Sequence, residues 1–487
     1  MNQLYYGDNL EIMRNEIPDK SVDLCYIDPP FNSKRDYNQI YNNIGKEDAA
    51  QSRAFVDTWT WTLRVENEFQ EICINDKGIF TAQTSDLIIG IAKILPRGSL
   101  LAYIISMTLR INEIHRVLKS SGSFYLHCDP NVSHYLKLVL DAIFCGQGGD
   151  FRNEIIWCYS GGGVSKNWFA RKHDVILFYV KTKSPIFNQQ FRPYSEGTLK
   201  RGRTQIKGKH YEQGLRKEGT PVNDWWTDCP KITSPTDPEK LGYPTQKPLV
   251  LLERIVKASS NEGDVVLDCF CGCGTTVSAA QKLNRKWIGI DITYQSISLI
   301  KKRLTETYGK DIMKSVKIGG IPKDLESAKA LATKEDDRLR KEFEKWAILT
   351  YSENKAMVND KKGKDGGSDG KIRVAENHDG KSVYRDLLFE VKSGGVGVKD
   401  IRNFARVVER ENAVAGVFIT LLEPTKDMKQ EAASMGDYDS GYMKFPKIKI
   451  VTIAEMMAGE RLNVPLAIDV VKTAKASSVE DGQLEIE

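Results

Sequence analysis

The segment Val265-Val266-Leu267-Asp268-Cys269-Phe270-Cys271-Gly272-Cys273-Gly274-Thr275-Thr276 reads as a strand, a tight turn and the start of a helix. Apolar and β-branched residues favour the strand, and Gly272 and Gly274 let the turn bring its backbone close to whatever lies above it. The helix start leaves unpaired N–H groups facing the same space. Lys286 to Asp291 follows as a second short strand that ends in an acid. Other short apolar runs are Asp23–Ile27, Ser123–His127 and Val175–Val180, while Met107–Leu118 and Leu249–Ala258 repeat their apolar residues at helical spacing. Short strands alternating with helices predict an α/β domain with a mainly parallel sheet.

Several function classes fall away at once. Val277 stands three residues after Gly274, so the dinucleotide pattern G-x-G-x-x-G is not met. The chain has no G-x-x-x-x-G-K-[ST] segment, so it is not expected to carry an ATP-driven motor of its own. No apolar run reaches the ~18 residues of a membrane span, and Met1–Asp8 lacks the basic and apolar regions of a secretory signal. Nine scattered cysteines fit a reducing cytosol better than a disulfide scaffold, which predicts a cytoplasmic protein. Cys269, Cys271 and Cys273 are spaced more tightly than zinc ligands prefer.

A second constellation is Asp28-Pro29-Pro30-Phe31, at the end of the strand Asp23–Ile27. Two prolines remove two backbone donors and fix φ. The result is a rigid, acceptor-rich lip made by the Asp28 carboxylate and the Pro29 carbonyl. An exocyclic amine such as adenine N6 carries two N–H donors, and its lone pair is delocalised into the ring. Two acceptors that hold those hydrogens would aim the lone pair outward. Phe31 offers a ring on which a base can stack. Asp291, at its own strand end, is placed to take a ribose diol.

These motifs, in this order, resemble the permuted β group of DNA amino-methyltransferases, in which the (D/S/N)PP(Y/F) motif precedes the F-x-G-x-G motif. The resemblance covers about residues 1–310. It implies a Rossmann-like fold, S-adenosylmethionine as cofactor and double-stranded DNA as partner. Gly7-Asp8-Asn9-Leu10 resembles the segment whose acid contacts the cofactor's adenine. Tyr243-Pro244-Thr245-Gln246-Lys247-Pro248 resembles the segment that packs on the cofactor's methionine end, and Trp287–Asp291 resembles the ribose-binding strand. The implied cofactor-binding residues are therefore Asp8, Thr245, Lys247, Pro248, Asp268, Phe270, Gly272, Gly274, Thr275 and Asp291. The implied catalytic residues are Asp28, Pro29, Pro30 and Phe31. Cys269 stands where the family usually has proline. The Asp-Pro-Pro form usually accompanies N6-adenine methylation and Ser-Pro-Pro accompanies N4-cytosine, so adenine N6 is the expected target. An N4-cytosine enzyme with an inactive, DNA-binding C-terminal domain is the alternative.

A third constellation joins Asp369 to Glu390-Val391-Lys392, with the two acids 21 positions apart. An Asp on one hairpin strand and a Glu-x-Lys on the next would gather two carboxylates and a lysine around one metal. Such oxygen ligands suit Mg²⁺, which can activate water at a phosphodiester. Over about residues 340–465 this resembles the PD-(D/E)XK nuclease fold in its Mrr-like form. The expected metal ligands are Asp369 and Glu390, with Lys392 as a third catalytic residue. Asp379 and Asp386 are alternative acids, and a nuclease-like fold used only to bind DNA is the competing reading.

The expected organisation is a methyltransferase domain over 1–325, a helical linker over 326–355, a smaller α/β restriction-endonuclease-like domain over 356–465, and a disordered tail over 466–487. This chain would serve a restriction-modification system. A second copy of itself, or a separate restriction subunit, is a further partner that this reading admits. Rival classes are a protein or small-amine methyltransferase, which tends to carry Asn-Pro-Pro, and a non-enzymatic DNA-binding protein, which leaves the cofactor motifs unexplained. Target recognition is expected over about 181–240. There, Lys181 to Thr220 holds ten basic residues against three acidic ones, an excess suited to phosphates. Neutralising Arg201, Arg203, Lys207 and Lys209 is expected to lower the log–log salt slope of DNA binding by about 0.9 for each phosphate left without its cation. A titration across salt concentrations checks this, and an unchanged slope removes the segment from the DNA.

Overall fold

The computed structural model describes the chain except for residues 31–35, 44–45, 57–59, 161–165, 168, 203–214, 233, 235–236, 238, 242, 244, 323–324, 333–336, 354, 360–366, 379–380 and 467–487; for 36–43, 46–56, 337–339, 378 and 381–382 it describes backbone only. Phe31, Arg203, Lys207, Lys209 and Asp379 therefore lie outside the described residues. The chain divides into two compact units. One comprises Met1–Tyr37, Phe55–Ile292 and Leu304–Gly319; the other comprises Asn38–Ala54, Thr293–Arg303 and Gly320–Glu487.

The first unit is built on a nine-stranded sheet. Its strands are β1 (Asn2–Tyr6), β2 (Val22–Ile27), β3 (Leu118–Cys128), β4 (Asp150–Cys158), β5 (His173–Val180), β6 (Trp225–Trp226), β7 (Val265–Asp268), β8 (Lys286–Asp291) and β9 (Val316–Gly319). The spatial order is β6-β4-β5-β3-β2-β7-β8-β1-β9. All neighbours pair in parallel except at β5, which runs against both β3 and β4. The mainly parallel α/β sheet expected from the sequence is present. Every residue of β2 is buried, as in a parallel strand covered on both faces. Its one acid, Asp23, is neutralised by Lys119 at 2.8 Å and accepts the Val265 N–H, 242 residues away, at 2.9 Å.

Two elements run longer than the sequence suggests. Helix α2 (Ser99–Val117) begins eight residues before the expected Met107, following α1 (Asn9–Glu16) in the numbering used here. Ser99 to Met107 is apolar almost throughout, so it has no polar face from which a period can be read. Strand β3 continues back through Lys119-Ser120-Ser121-Gly122, a stretch with the composition of a turn. A bulge between Val22 and Leu24 absorbs the mismatch with β2.

The second unit holds a five-stranded sheet, β10 (Met357–Val358), β11 (Gly370–His378), β12 (Lys381–Lys392), β13 (Ala415–Thr420) and β14 (Ile448–Thr452), in that spatial order. The first three strands pair antiparallel and the last three parallel. The stretch expected as a helical linker, 326–355, is helical over Leu325–Ala332 and Asp337–Tyr351. The second of these helices buries Phe343, Trp346, Ala347 and Ile348 within this unit, so it is part of the fold and not a free spacer. Helix Val398–Arg410 buries Ile401, Phe404, Ala405 and Val408 on one face. Gly416 on β13 makes room for it, since a Cβ there would stand 2.6 Å from the Phe404 ring.

Candidate functional site

Parallel pairing of β2 with β7 sets Leu24 beside Val266 and Cys25 beside Leu267. Both strands therefore end at the same edge of the sheet. Asp28 leaves one of them and the Asp268–Thr276 turn leaves the other. Ligands of open α/β sheets bind at such carboxyl ends. Beyond β7, the next strand is β8, and Asp291 at its end accepts the Gly272 N–H at 2.9 Å. Gly272 (φ +47°) and Gly274 (φ +76°) both adopt the left-handed conformation that glycine favours, and helix Thr275–Lys282 starts directly after them. A Cβ on Gly272 would stand 3.3 Å from the Tyr243 ring.

The Gly7-Asp8 segment reaches the same edge, because the Gly7 N–H donates to the Asp291 carbonyl at 2.9 Å. Asp8 caps α1 through the Leu10 N–H at 2.9 Å and is paired with Arg64 at 2.8 Å and Arg110 at 3.3 Å. Burial alone would raise the Asp8 carboxyl, but the two guanidiniums outweigh it and hold the group below the usual carboxylate range. Arg110 also donates to the side-chain oxygen of Asn9 at 2.7 Å, and Asn9 donates to the Cys269 carbonyl at 2.7 Å. Asn9 and Arg110 thus brace the turn from α1 and α2. Sequence reasoning singles out neither, and only the place of Asn9 beside Asp8 could have flagged it.

These residues fit an adenosine-type cofactor. Gly272 and Gly274 leave no side chain of their own over the turn, helix Thr275–Lys282 starts beside it, and Asp8 and Asp291 lie on adjoining segments. The donors and acceptors suit such a group. Asp268 lies beneath the turn, accepting the Phe270 N–H at 3.0 Å. Thr245 is held at φ +61°, and Pro248 precedes helix α3 (Leu249–Ser259) as its N-cap. Lys247 stands apart from its expected companions: its ammonium pairs with the Asp28 carboxylate.

Behind Asp28 is a buried chain of polar groups. The Tyr26 hydroxyl lies 2.9 Å from His127 Nδ1, His127 Nε2 lies 3.1 Å from Asp174, and the Tyr159 hydroxyl donates to Asp174 at 3.0 Å. Burial would raise the Asp174 carboxyl, but His127, Lys247 and Tyr159 outweigh it and hold it at about 2. An ionised Asp174 only accepts, so His127 Nε2 carries a proton toward it. None of these residues stands out in the sequence, where Tyr26 and His127 read as strand residues and Tyr159 and Asp174 fall outside the expected strands.

The second unit brings its own acids together. Asp369 precedes β11 and accepts the Val391 N–H at 2.9 Å. Glu390 and Lys392 share one face of β12, as strand alternation requires, and pair at 2.7 Å. The structure adds Lys341 and Glu344 from helix Asp337–Tyr351: Lys341 lies 3.3 Å from Asp369 and 2.7 Å from Glu344. Burial and the Asp369 charge raise the Glu344 carboxyl, and burial, despite Lys392, raises that of Glu390. Asp386, an alternative acid, is engaged with Lys371 at 3.1 Å. It lies four residues from Glu390, roughly 13 Å along the strand. Among the described residues, no group of three or more His, Cys, Asp or Glu side chains is arranged to hold a metal ion. The oxygen donors suit a hard cation in kind, with Lys341 and Lys392 neutralising them in this arrangement.

Residues 22–302 match the family model described as DNA methylase, covering N6 and N4 enzymes. The chain belongs to this DNA methylase family. Residues 339–450 match a second model, described as restriction endonuclease of the Mrr catalytic type. The chain is 28% identical over 303 residues to the DNA adenine methyltransferase YhdJ of Escherichia coli, covering 62% of this chain and 82% of that one. It is 28% identical over 307 residues to the type II methyltransferase M.BamHI of Bacillus amyloliquefaciens, again covering 62% of this chain but 57% of that one. It therefore spans little more than half the length of that relative. Among solved structures it is similar to the cytosine-N4-specific PvuII DNA methyltransferase, with 16% identity, a TM-score of 0.38, and 66% of this chain and 95% of that chain covered. The M1.HpyAVI–SAM complex is similar at 20% identity and a TM-score of 0.33, with 62% and 100% covered. Among the described residues, no helix is long and apolar enough to cross a membrane.

Asp268 offers a direct check on the setting of the turn. Burial, reinforced by the Asp28 and Asp291 charges, pushes its carboxyl up to about 7. The folded protein then binds a proton that the unfolded chain has released, so stability falls as pH rises from about 4 to 7. Asp268→Asn removes this dependence. Its stability relative to the parent is expected to grow by up to about 1.4 kcal/mol per pH unit in that window and then level off. Urea unfolding at a series of pH values measures the difference; a constant difference would place Asp268 in a solvated setting.

Proposed function

We propose that this DNA methylase transfers a methyl group from S-adenosylmethionine to adenine N6 in duplex DNA, with Asp28 and the Pro29 carbonyl as acceptors of the two amine hydrogens. The observation that carries this is the β2–β7 pairing, which sets Asp28 next to the glycine turn. Asp8, Asp268, Phe270, Gly272, Gly274, Thr275 and Asp291 hold the cofactor, which supplies an electrophilic methyl on a sulfonium. Thr245 and Pro248 flank it from the start of α3. Holding both N–H groups aims the nitrogen lone pair at the methyl, and Asp28 is the base at hand for the proton that the nitrogen sheds afterwards. Pro30 keeps the lip rigid, and Phe31 stacks on a base flipped out of the duplex. The basic segment in 181–240 holds the DNA. Relatives named as type II methyltransferases support a place in a restriction-modification system.

Mass spectrometry of nucleosides after reaction with genomic DNA tests the target. N6-methyladenine is expected; N4-methylcytosine alone would transfer the reading to the cytosine class. Asp28→Ala is expected to lower transfer by at least ~10³-fold, with calorimetric affinity for S-adenosylmethionine close to that of the parent.

We further propose that the second unit cuts DNA, with Asp369 and Glu390 holding Mg²⁺ and Lys392 orienting water. The support is that Asp369 accepts the Val391 N–H, between Glu390 and Lys392 on β12, which gathers the two acids and the lysine at one end of that strand. Plasmid, methylated or not, is incubated with Mg²⁺, with and without S-adenosylmethionine. Cleavage that disappears in Glu390→Ala and Lys392→Ala is expected. If no condition yields cleavage, the unit is an inert DNA-binding fold.

A further inference from the structure

We propose that Lys247 is the resident occupant of the amine position on Asp28, and that the target base displaces it toward Asp174. The inference rests on the reading of Asp28 as the acceptor of the exocyclic amine.

Lys247 is held by Asp28, where the base amine would have to bind, and its side chain is 10% exposed. An ammonium and an exocyclic amine present the same kind of donor to the same carboxylate. A base that enters must therefore offer N–H groups good enough to replace a charged donor. One without an amine at that edge leaves Lys247 in place. The ion pair thus competes with the base amine for Asp28, and does not compete with a base that lacks one.

Charge also requires the lysine to leave. Methyl transfer moves positive charge onto the amine nitrogen, and a lysine still seated on Asp28 would oppose it. Asp174 is the second station. It is largely buried, ionised, and fixed by His127 and Tyr159, and Lys247 already contributes to its electrostatics. Lys231 is a second ammonium nearby, 4.7 Å from the centre of the Tyr159 ring. The backbone around Lys247 is set by Thr245 in the left-handed region and by Pro248 at the start of α3, so the displacement is one of side chain alone.

The test uses the full chain and a duplex bearing the target site, located first by mapping methylated positions. The target adenine is kept, or replaced by purine, which lacks the amine. Dissociation constants for both duplexes are measured in the presence of S-adenosylhomocysteine, and their purine-to-adenine ratio is the readout. Lys247→Met is expected to raise this ratio by about tenfold, the size of one charge-assisted hydrogen bond. Asp174→Asn, which removes the second station, is expected to lower it, as is Lys247→Arg, which grips Asp28 more firmly. A ratio within twofold of the parent in Lys247→Met overturns the proposal. So does a constant ratio accompanied by a tenfold loss of S-adenosylmethionine affinity, which would assign Lys247 to the cofactor. Should Lys247→Met fail to fold by circular dichroism, the direction of the Lys247→Arg effect decides. An Asp28→Ala protein with the parent's ratio would instead remove Asp28 from the amine, a separate failure.

Discussion

The first unit depends on one backbone pairing between strands that are far apart in sequence. β2 and β7 lie side by side although 242 residues separate Asp23 from the Val265 N–H it accepts. Without that pairing, Asp28 would project from one half of the sheet and the glycine turn from another. The pair is secured by more than ladder hydrogen bonds. Asp23 is neutralised by Lys119, and the Asn9 amide ties the end of β7 to α1. Asp23 and Asn9 are both buried, and each is partnered, as a low-dielectric interior demands.

Much of this is legible in the sequence because short motifs coincide with strand ends. Lys286–Asp291 is legible to the residue, and β2, β5 and β7 to within two residues at each end. Those strands are bounded by proline, glycine or acids, which stop a strand for local reasons. Where the boundary is set by a tertiary partner, local signals mislead: β3 runs through Ser120-Ser121-Gly122 because Lys119 and Leu118 are held by β2. The same distinction holds at the sites. Asp28, Asp291, Asp369 and Glu390 announce themselves by strand-end placement or spacing. Arg110, His127, Asp174 and Glu344 take their meaning from neighbours tens to hundreds of residues away, and nothing beside them in the chain marks them out.

Both acidic centres meet their charge in the same way. Asp28 is covered by Lys247, Asp369 by Lys341, and Glu390 by Lys392. A half-buried carboxylate without a counter-ion is destabilising, and a lysine on a flexible stem relieves it. Unlike arginine, it grips through a single nitrogen and can give way to another donor or cation. The arrangement keeps the acids paired and oriented.

The position of β1 has a consequence for how the protein is made. The first strand of the chain pairs with β8 on one side and with β9, Val316–Gly319, on the other. The sheet of the first unit therefore cannot close until residue 319 has left the ribosome, tens of seconds into synthesis at ~5–20 residues per second. Until then β1 has β8 on one side and no neighbour on the other. Once closed, that sheet has every strand it needs, while β10 to β14 are still to be translated. Each new molecule thus completes its DNA-methylase sheet before its restriction-endonuclease sheet exists.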